Sequence, residues 1–253
     1  MSKSHPVKIT FHFPKFSGKS KRVFIEALIT RVPLDSKIGY AGFSYKKYLR
    51  EQLVQRYSHS DILDYQQLSS MQKEKIKRTL LWTARRSSQI LPPPVDRVSV
   101  FIFPWLRPFD DHDKAMGFST GFCPYKNSIL IFLAPQLFVH WSLKGSLAHE
   151  YNHAIFFNHH DMRQTLLETM VFEGLAEKFE EEVVGVGPTP YATTLTKKEA
   201  TRIFNSMSPH SLRSKSYNLY KHMFFGGKKY KKWTGYSIGY WIVKSFRKNV
   251  KAK

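Results

Sequence analysis

His149, Glu150 and His153 stand in the pattern His-Glu-x-x-His within the segment LAHEYNHAIFF. Residues four positions apart lie on one face of an α-helix, so the two imidazoles can reach a single ion while Glu150 lies beside them. The pattern predicts half of a zinc site, with a carboxylate placed to act as a general base. Five residues do not complete such a site, and the other ligands must come from elsewhere in the chain.

A catalytic zinc site needs a third protein ligand and keeps a fourth position for water. His159 lies ten positions after His149, as in the longer pattern His-Glu-x-x-His-x-x-Gly-x-x-His, but Phe156 replaces the glycine that lets the chain turn sharply. Glu173 lies 20 positions after His153, a spacing typical of gluzincins, in the segment TLLETMVFEGLAEKFEEE. We expect Glu173 to be the third ligand.

Glu173 and Glu177 lie in a predicted helix that is apolar nearly all round at this point. Two carboxylates inserted there would be costly unless they met a cation or hydrogen-bond donors. We therefore expect Glu173 to bind the ion. Glu177, one turn later, is expected to accept a hydrogen bond from the free ring N–H of a ligating histidine such as His149. The glutamates at 180–182 are interpreted instead as a solvated acidic face.

Three segments carry a resemblance to a known family: LAHEYNHAIFF, TLLETMVFEGLAEKFEEEVVG and TGYSIGYWIVKSF. Together they resemble the YjaZ-type predicted zinc-dependent proteases, a bacterial group of gluzincin-like character. The likeness extends from the strand near Val98 to Phe246. It implies a zincin-like fold, one zinc ion as cofactor and hydrolysis of peptide bonds.

The last of these segments contains a candidate for a second catalytic group. In larger gluzincins a Tyr-x-x-Gly turn of a late helix supplies a phenol that hydrogen-bonds the tetrahedral intermediate, and Tyr236 to Gly239 match this pattern. Tyr240 is the other candidate for this phenol. The alternative is that these tyrosines and Trp241 are packing aromatics of a C-terminal helix. In the implied mechanism, zinc lowers the pKa of bound water and Glu150 transfers its proton to the leaving amine.

A scaffold of strands and helices must position these side chains. We expect an α+β fold of the zincin-like gluzincin type, in which a small mixed sheet packs on the active-site helix and a mainly helical part follows. Residues 1–92 form an N-terminal, mostly helical part with one strand and residues 93–253 the catalytic region, unless the two make one continuous domain. The predicted strands are Val7–Phe13, Arg97–Pro104 and Ser128–Pro135, and the predicted early helices are Lys46–Arg56 and Met71–Leu91.

The strand before the zinc helix has two interpretations. In zincins a strand at this place forms the rim along which an extended substrate pairs by β-addition, and we assign this role to residues 129–133 as a hypothesis. The alternative is a simple core strand.

The charge of the chain is strongly positive, with 40 Lys and Arg against 19 Asp and Glu and a formal net charge of +21. Such a surface favours peptide or protein substrates of acidic character and weak, non-specific binding of polyanions. An alternative function follows, that of a basic nucleic-acid or anionic-surface binding protein with a structural or vestigial zinc site. Lysines interleave with aromatic residues in one late segment, which contains Lys228, Lys229, Tyr230, Lys231, Lys232 and Trp233.

Composition also bounds the compartment and the class. The hydrophobic content of 42% supports a substantial core and excludes a disordered chain. Cys123 is the single cysteine, so no intrachain disulfide forms, and we expect it to be a packing residue. The segment MSKSHPVKITFHF lacks the apolar core of a signal peptide, and the most apolar stretch is broken by Pro135. We expect a cytoplasmic protein without a transmembrane segment.

Overall fold

The computed structural model of the chain describes residues 8–12, 21–31, 47, 50–51, 68–94, 97–104, 111–125, 127–134, 137–160 and 165–251. These residues divide into two compact units, of which the first ends at His160. The predicted α+β class is confirmed, because a small four-stranded sheet accompanies mostly helical structure.

The first unit contains the whole of the described sheet. Its elements in chain order are β1 (Lys8–His12), α1 (Lys21–Arg31), α2 (Ser70–Ile90), β2 (Arg97–Pro104), α3 (Asp111–Ala115), β3 (Ser119–Tyr125), β4 (Ser128–Leu133) and α4 (His140–Phe156). The strands predicted near Arg97 and Ser128 are therefore confirmed. Of the strand predicted at the N-terminus, the described residues form β1.

Helix α2 has a clear start and stop in its sequence. The Ser69 hydroxyl accepts a hydrogen bond from the Gln72 N–H at 3.1 Å, and the Gln72 side chain accepts one from the Ser69 N–H at 2.8 Å. This reciprocal capping box satisfies two donors that a helix start leaves without partners. The helix ends at Ile90, before three prolines that cannot continue it. The helix predicted over Lys46–Arg56 lies outside the described residues apart from three isolated positions.

The sheet has the strand order β1-β2-β4-β3. Strands β1, β2 and β4 are parallel, and β3 is antiparallel to β4. All six residues of β4 are buried, and its two edges pair with β2 and β3. The hypothesis that residues 129–133 form the substrate rim is therefore wrong, because their backbone groups already serve two neighbouring strands. The alternative of a core strand is confirmed.

All the regular elements that the structure describes in the second unit are helices. Its elements are α5 (Leu166–Val184), α6 (Pro190–Thr193), α7 (Lys197–Asn205), α8 (Pro209–Leu212), α9 (Tyr217–Phe225) and α10 (Thr234–Lys251). Helix α5 begins with a capping box between Thr165 and Glu168 and ends at Gly185 in the left-handed conformation. These signals define the predicted helix that carries the candidate glutamates.

Helices α5 and α10 cross at two glycines, Gly174 and Gly239. A Cβ atom on Gly174 would lie 2.2 Å from the carbonyl oxygen of Gly239, and one on Gly239 would lie 1.8 Å from the carbonyl oxygen of Met170. The two backbones therefore approach so closely that no side chain larger than the hydrogen of glycine fits at either position. The apolar core beside the crossing includes Leu166 and Ile238.

Two further expectations concern membrane-spanning helices and the single cysteine. No helix in the described part of the chain is both long enough and apolar enough to cross a membrane. Cys123 is buried in β3, as expected of a packing residue. Its thiol thus forms part of the sheet rather than of the solvent-exposed surface.

Candidate metal centre

Helix α4 is buried along most of its length and is held against β3 by serine hydroxyls. The hydroxyl of Ser142 donates to the carbonyl oxygen of Met116, just before β3. The hydroxyls of Ser119 and Ser146 lie 3.1 Å apart. Small side chains at these positions let the helix lie close to the strand, and their hydrogen bonds set its position along it.

The opposite face of α4 is anchored by Tyr151. Its hydroxyl donates to the carbonyl oxygen of Leu91, at the end of α2, with a distance of 3.0 Å. Burial raises the pKa of the Tyr151 phenol well above its ordinary value, so the group remains a donor at physiological pH. Tyr151 lies about 200° round the helix from His149. The anchor and the histidines therefore lie on different faces.

His149, Glu150 and His153 are all buried on α4. The centroids of the two imidazole rings are 4.7 Å apart and their planes are nearly perpendicular, at 88°. The predicted common face of the two histidines is thus confirmed. Two imidazoles so placed can direct one nitrogen each toward the same point.

Glu150 packs against a glycine that sequence reasoning did not identify. A Cβ atom on Gly121 in β3 would lie 2.3 Å from Cγ of Glu150. The absence of a side chain at this position therefore creates the space that the glutamate occupies. No local pattern signals this, because the two residues are far apart in the sequence and meet only through the packing of α4 on β3.

Three carboxylates share one buried face of α5: Glu173, Glu177 and Glu180. The interpretation of residues 180–182 as a solvated face is wrong for Glu180, whose exposure is only 8%. Positions 173, 177 and 180 are separated by four and three residues, which places them on successive turns of one face. Glu182 is exposed and accepts a hydrogen bond from Arg247 at 2.8 Å, as expected of a surface glutamate.

Glu177 is held by a hydroxyl donor within the second unit. The Thr189 hydroxyl donates to Oε2 of Glu177 and also caps α6 by accepting from the Ala192 N–H at 3.3 Å. The sequence carried a signal for the cap, since Thr189 precedes a proline at a helix start. The sequence did not indicate its contact with Glu177. This contact supplies one of the donors that a buried carboxylate requires.

Two groups of three buried side chains could each hold a metal ion, with ligand atoms that lie within 4.8 Å of one another. Their members are His149, His153 and Glu173 in one, and His149, Glu177 and Glu180 in the other. The first group has the same members as the ligand set expected from spacing. Two imidazole nitrogens and a carboxylate oxygen suit zinc. His159 belongs to neither group and is exposed.

Tyr236 lies on α10 in a cluster of aromatic rings. Its ring stacks on Tyr191, with centroids 5.0 Å apart, and meets the ring of Phe224 at 4.9 Å and nearly perpendicular. These contacts agree with the packing alternative for the ring. The catalytic role of its hydroxyl stays a prediction.

Tyr240, the rival candidate, is fully buried on the same helix. Its hydroxyl donates to Oε2 of Glu181 at 3.1 Å and accepts from the ammonium group of Lys244 at 2.8 Å. Burial and the negative charge of Glu181 raise the pKa of Tyr240 well above its ordinary value. Burial would raise the pKa of Glu181 too, but hydrogen bonds from Lys178 and Tyr240 hold it below its ordinary value. This network joins α5 to α10.

A protein family matches the region that contains all of these candidates. The family model is described as predicted Zn-dependent protease (DUF2268), and it matches residues 54–253. The chain belongs to this family. The resemblance to YjaZ-type predicted zinc-dependent proteases that the motifs indicated is therefore confirmed.

One relative is similar to this family member over a shorter stretch of sequence. The uncharacterized protein YjaZ of Bacillus subtilis (strain 168) is 27% identical over 148 residues. These residues cover 55% of this chain and 56% of YjaZ, so the match spans about half the length of that relative. No solved structure matches the chain.

Proposed function

We propose that this family member is a zinc-dependent peptidase of the zincin-like, gluzincin type, in which His149, His153 and Glu173 hold one zinc ion. The observation that carries the proposal is the buried donor set, whose ligand atoms lie within 4.8 Å of one another. A buried carboxylate is costly unless it meets a cation or hydrogen-bond donors. A zinc ion held by the two imidazoles would be the cation that the buried Glu173 carboxylate requires. Three protein ligands leave a coordination position for water, whereas structural zinc sites normally have four.

The residues around the proposed ligands have distinct roles in peptide hydrolysis. Zinc held there would lower the pKa of a water molecule and polarise the substrate carbonyl. Glu150 removes the proton from the attacking water and passes it to the nitrogen of the leaving amine, so the C–N bond breaks without net proton release. Glu177 accepts a hydrogen bond from the ring N–H of His149 and orients that imidazole. Tyr236 donates to the oxyanion.

The strand that would bind substrate is β3 rather than β4. In the part of the chain that the structure describes, β3 pairs with β4 alone, and it carries Gly121 beside Glu150. An extended peptide added to the outer edge of β3 would run past the general base. The substrate class is a peptide or protein, and the positive net charge favours acidic ones. The cytoplasmic location expected from the sequence stays a prediction.

The metal content of the purified protein, measured by plasma mass spectrometry, tests the proposal. We expect about one zinc per chain in the wild type, loss of zinc in Glu173→Ala and retention in His159→Ala. Glu180→Gln separates the two candidate groups, because only the second contains this residue. Zinc lost in Glu180→Gln but kept in Glu173→Ala would assign the ion to the second group. If the wild-type protein takes up no zinc when zinc is supplied, the proposal of a zinc-dependent peptidase is contradicted.

Gly121→Ala is expected to lower peptide turnover by about 10²-fold with zinc content unchanged. The added methyl group occupies the position of Cγ of Glu150 and displaces the general base, and a displacement of about 1 Å can cost this much. Turnover and metal content of the same preparation provide the measurement. Thr120→Ala, in the same strand, adds no atom and should leave turnover within about twofold. Equal turnover in Gly121→Ala and wild type would exclude the assigned role of this contact.

A further inference from the structure

Four of the ten exposed large hydrophobic side chains in the described part of the chain belong to α2 or to the segment where α4 begins, both in the first unit. Trp82 belongs to α2, Leu137 and Val139 lie just before α4, and Trp141 lies in its first turn, with exposures of 38–46%. The ammonium group of Lys144 lies 4.1 Å from the centre of the Trp82 ring, and Lys144 is one turn from Trp141. This contact links α2 to the first half of α4. We call these five residues the tryptophan surface.

Basic side chains border the tryptophan surface along the seam between α2 and α4. The Thr79 hydroxyl and Nδ1 of His140 lie 3.0 Å apart, which places the two helices side by side here. Lys75 lies one turn before Thr79. The pKa of His140 is held below its ordinary value, first by burial and then by the positive charges of Lys75 and Lys144. Both charges therefore act on the same small region.

Helix α2 continues this positive border on both sides of Trp82. Arg78 and Arg85 are exposed and lie one turn before and one turn after the tryptophan. Helix α2 contains six Lys and Arg residues and one acid, Glu74, which lies 3.9 Å from Arg78. The exposed apolar side chains are thus bordered by cationic side chains in excess over anionic ones.

We infer that the tryptophan surface docks on the surface of an anionic phospholipid bilayer. Tryptophan, leucine and valine side chains enter the interfacial region of a bilayer, while lysine and arginine side chains face its anionic headgroups. Each Lys or Arg near such a surface strengthens the attraction to its anionic headgroups. This docking depends on none of the proposed metal ligands, and it would stand if zinc binding failed.

A nucleic acid fits the same surface less well. Bases bind by stacking on exposed aromatic faces, and one face of the Trp82 ring is covered by Lys144. Leu137 and Val139 offer neither a ring for stacking nor a donor for phosphate. Three of the four exposed apolar side chains lie within five residues of one another. Their transfer from water into an apolar phase is favourable, whereas a phosphodiester backbone offers them no apolar contact.

Binding of the full chain to phosphatidylcholine vesicles with and without phosphatidylserine tests the inference by co-sedimentation. We expect binding that requires phosphatidylserine and that weakens at least about tenfold in the Leu137→Gln/Trp141→Gln double variant. Phe225→Gln/Phe246→Gln is the matched control, since it removes two exposed apolar side chains of the second unit and should change binding less than about twofold. Equal weakening in both double variants would overturn the inference.

The charges have their own matched pair. Lys75→Gln/Arg85→Gln is expected to weaken binding to phosphatidylserine vesicles more than Lys228→Gln/Lys229→Gln, although both remove two positive charges. The reverse order would assign binding to the late lysine-rich segment. This result would overturn the inference.

Quenching by brominated phosphatidylcholine in the same anionic vesicles keeps the inference testable if a double variant fails to fold. Tryptophan emission of the wild type should be quenched, and Trp141→Phe should reduce the quenched fraction while Trp241→Phe should not. Four outcomes would overturn the proposal: no vesicle binding, no quenching, tight binding of duplex DNA without vesicle binding, or self-association lost in Leu137→Gln/Trp141→Gln without vesicle binding.

Discussion

Glu150→Gln is expected to lower the rate of peptide hydrolysis at least about 10²-fold while the protein keeps its zinc. Glutamine has nearly the same shape as glutamate, so the packing against Gly121 is preserved. The amide cannot accept a proton at physiological pH, so the attacking water stays protonated. Hydrolysis of fluorescein-labelled casein, with zinc content measured on the same preparation, gives both quantities.

Glu182→Gln is the control for this experiment. Glu182 is exposed on α5 and bonds to Arg247, so its amide should leave both turnover and zinc content unchanged. Turnover in Glu150→Gln equal to that of the wild type would exclude the general base. Inactivity of the wild type, together with DNA binding that falls steeply with salt and persists in Glu150→Gln, would favour the alternative of a polyanion-binding protein.

Gly239→Ala is expected to lower the free energy of unfolding by about 3 kcal/mol or more. The new Cβ atom would lie 1.8 Å from the carbonyl oxygen of Met170, a backbone atom that cannot rotate away as a side chain can. Helices α5 and α10 must therefore separate along their whole contact. Gly174 faces the same crossing next to Glu173, so the separation would also displace the carboxylate. Urea unfolding followed by circular dichroism measures the loss.

Gly187→Ala is the matched control, because a Cβ atom at Gly187 would meet no atom within 4 Å. Its free energy of unfolding should stay within about 0.5 kcal/mol of the wild type. If Gly239→Ala unfolds at the same urea concentration as Gly187→Ala, the two helices do not approach each other this closely.

The features that sequence reasoning predicted are those with a local signal. The helix that carries the His-Glu-x-x-His pattern follows from periodicity, and the start of α5 follows from Thr165 and Glu168. The position of Glu173 on an apolar helix was also visible in the spacing. Each of these depends on residues within about one or two turns of one another, where helix geometry alone determines neighbours.

The features that it missed or left open depend on contacts between distant segments. The sequence leaves open whether β4 is a rim or a core strand, because this depends on pairing with two other strands, which no periodicity records. The contact of Gly121 with Glu150 and that of Thr189 with Glu177 are likewise non-local. The burial of Glu180 had a local signal in its seven-residue separation from Glu173, but a run of acids favoured the interpretation of a solvated face.

The hydrogen bond from Tyr151 to Leu91 has a consequence for the order of assembly. Helix α4 is held on one side by this anchor and on the other by the serine contacts with β3, and none of these bonds involves an imidazole of the proposed site. Correct placement of the helix therefore does not require an ion, unlike a zinc finger, whose chain is unfolded without its metal. The first unit would then fold before any ion binds to the proposed site. Metal supply would then regulate this protein after synthesis, without determining whether it survives folding.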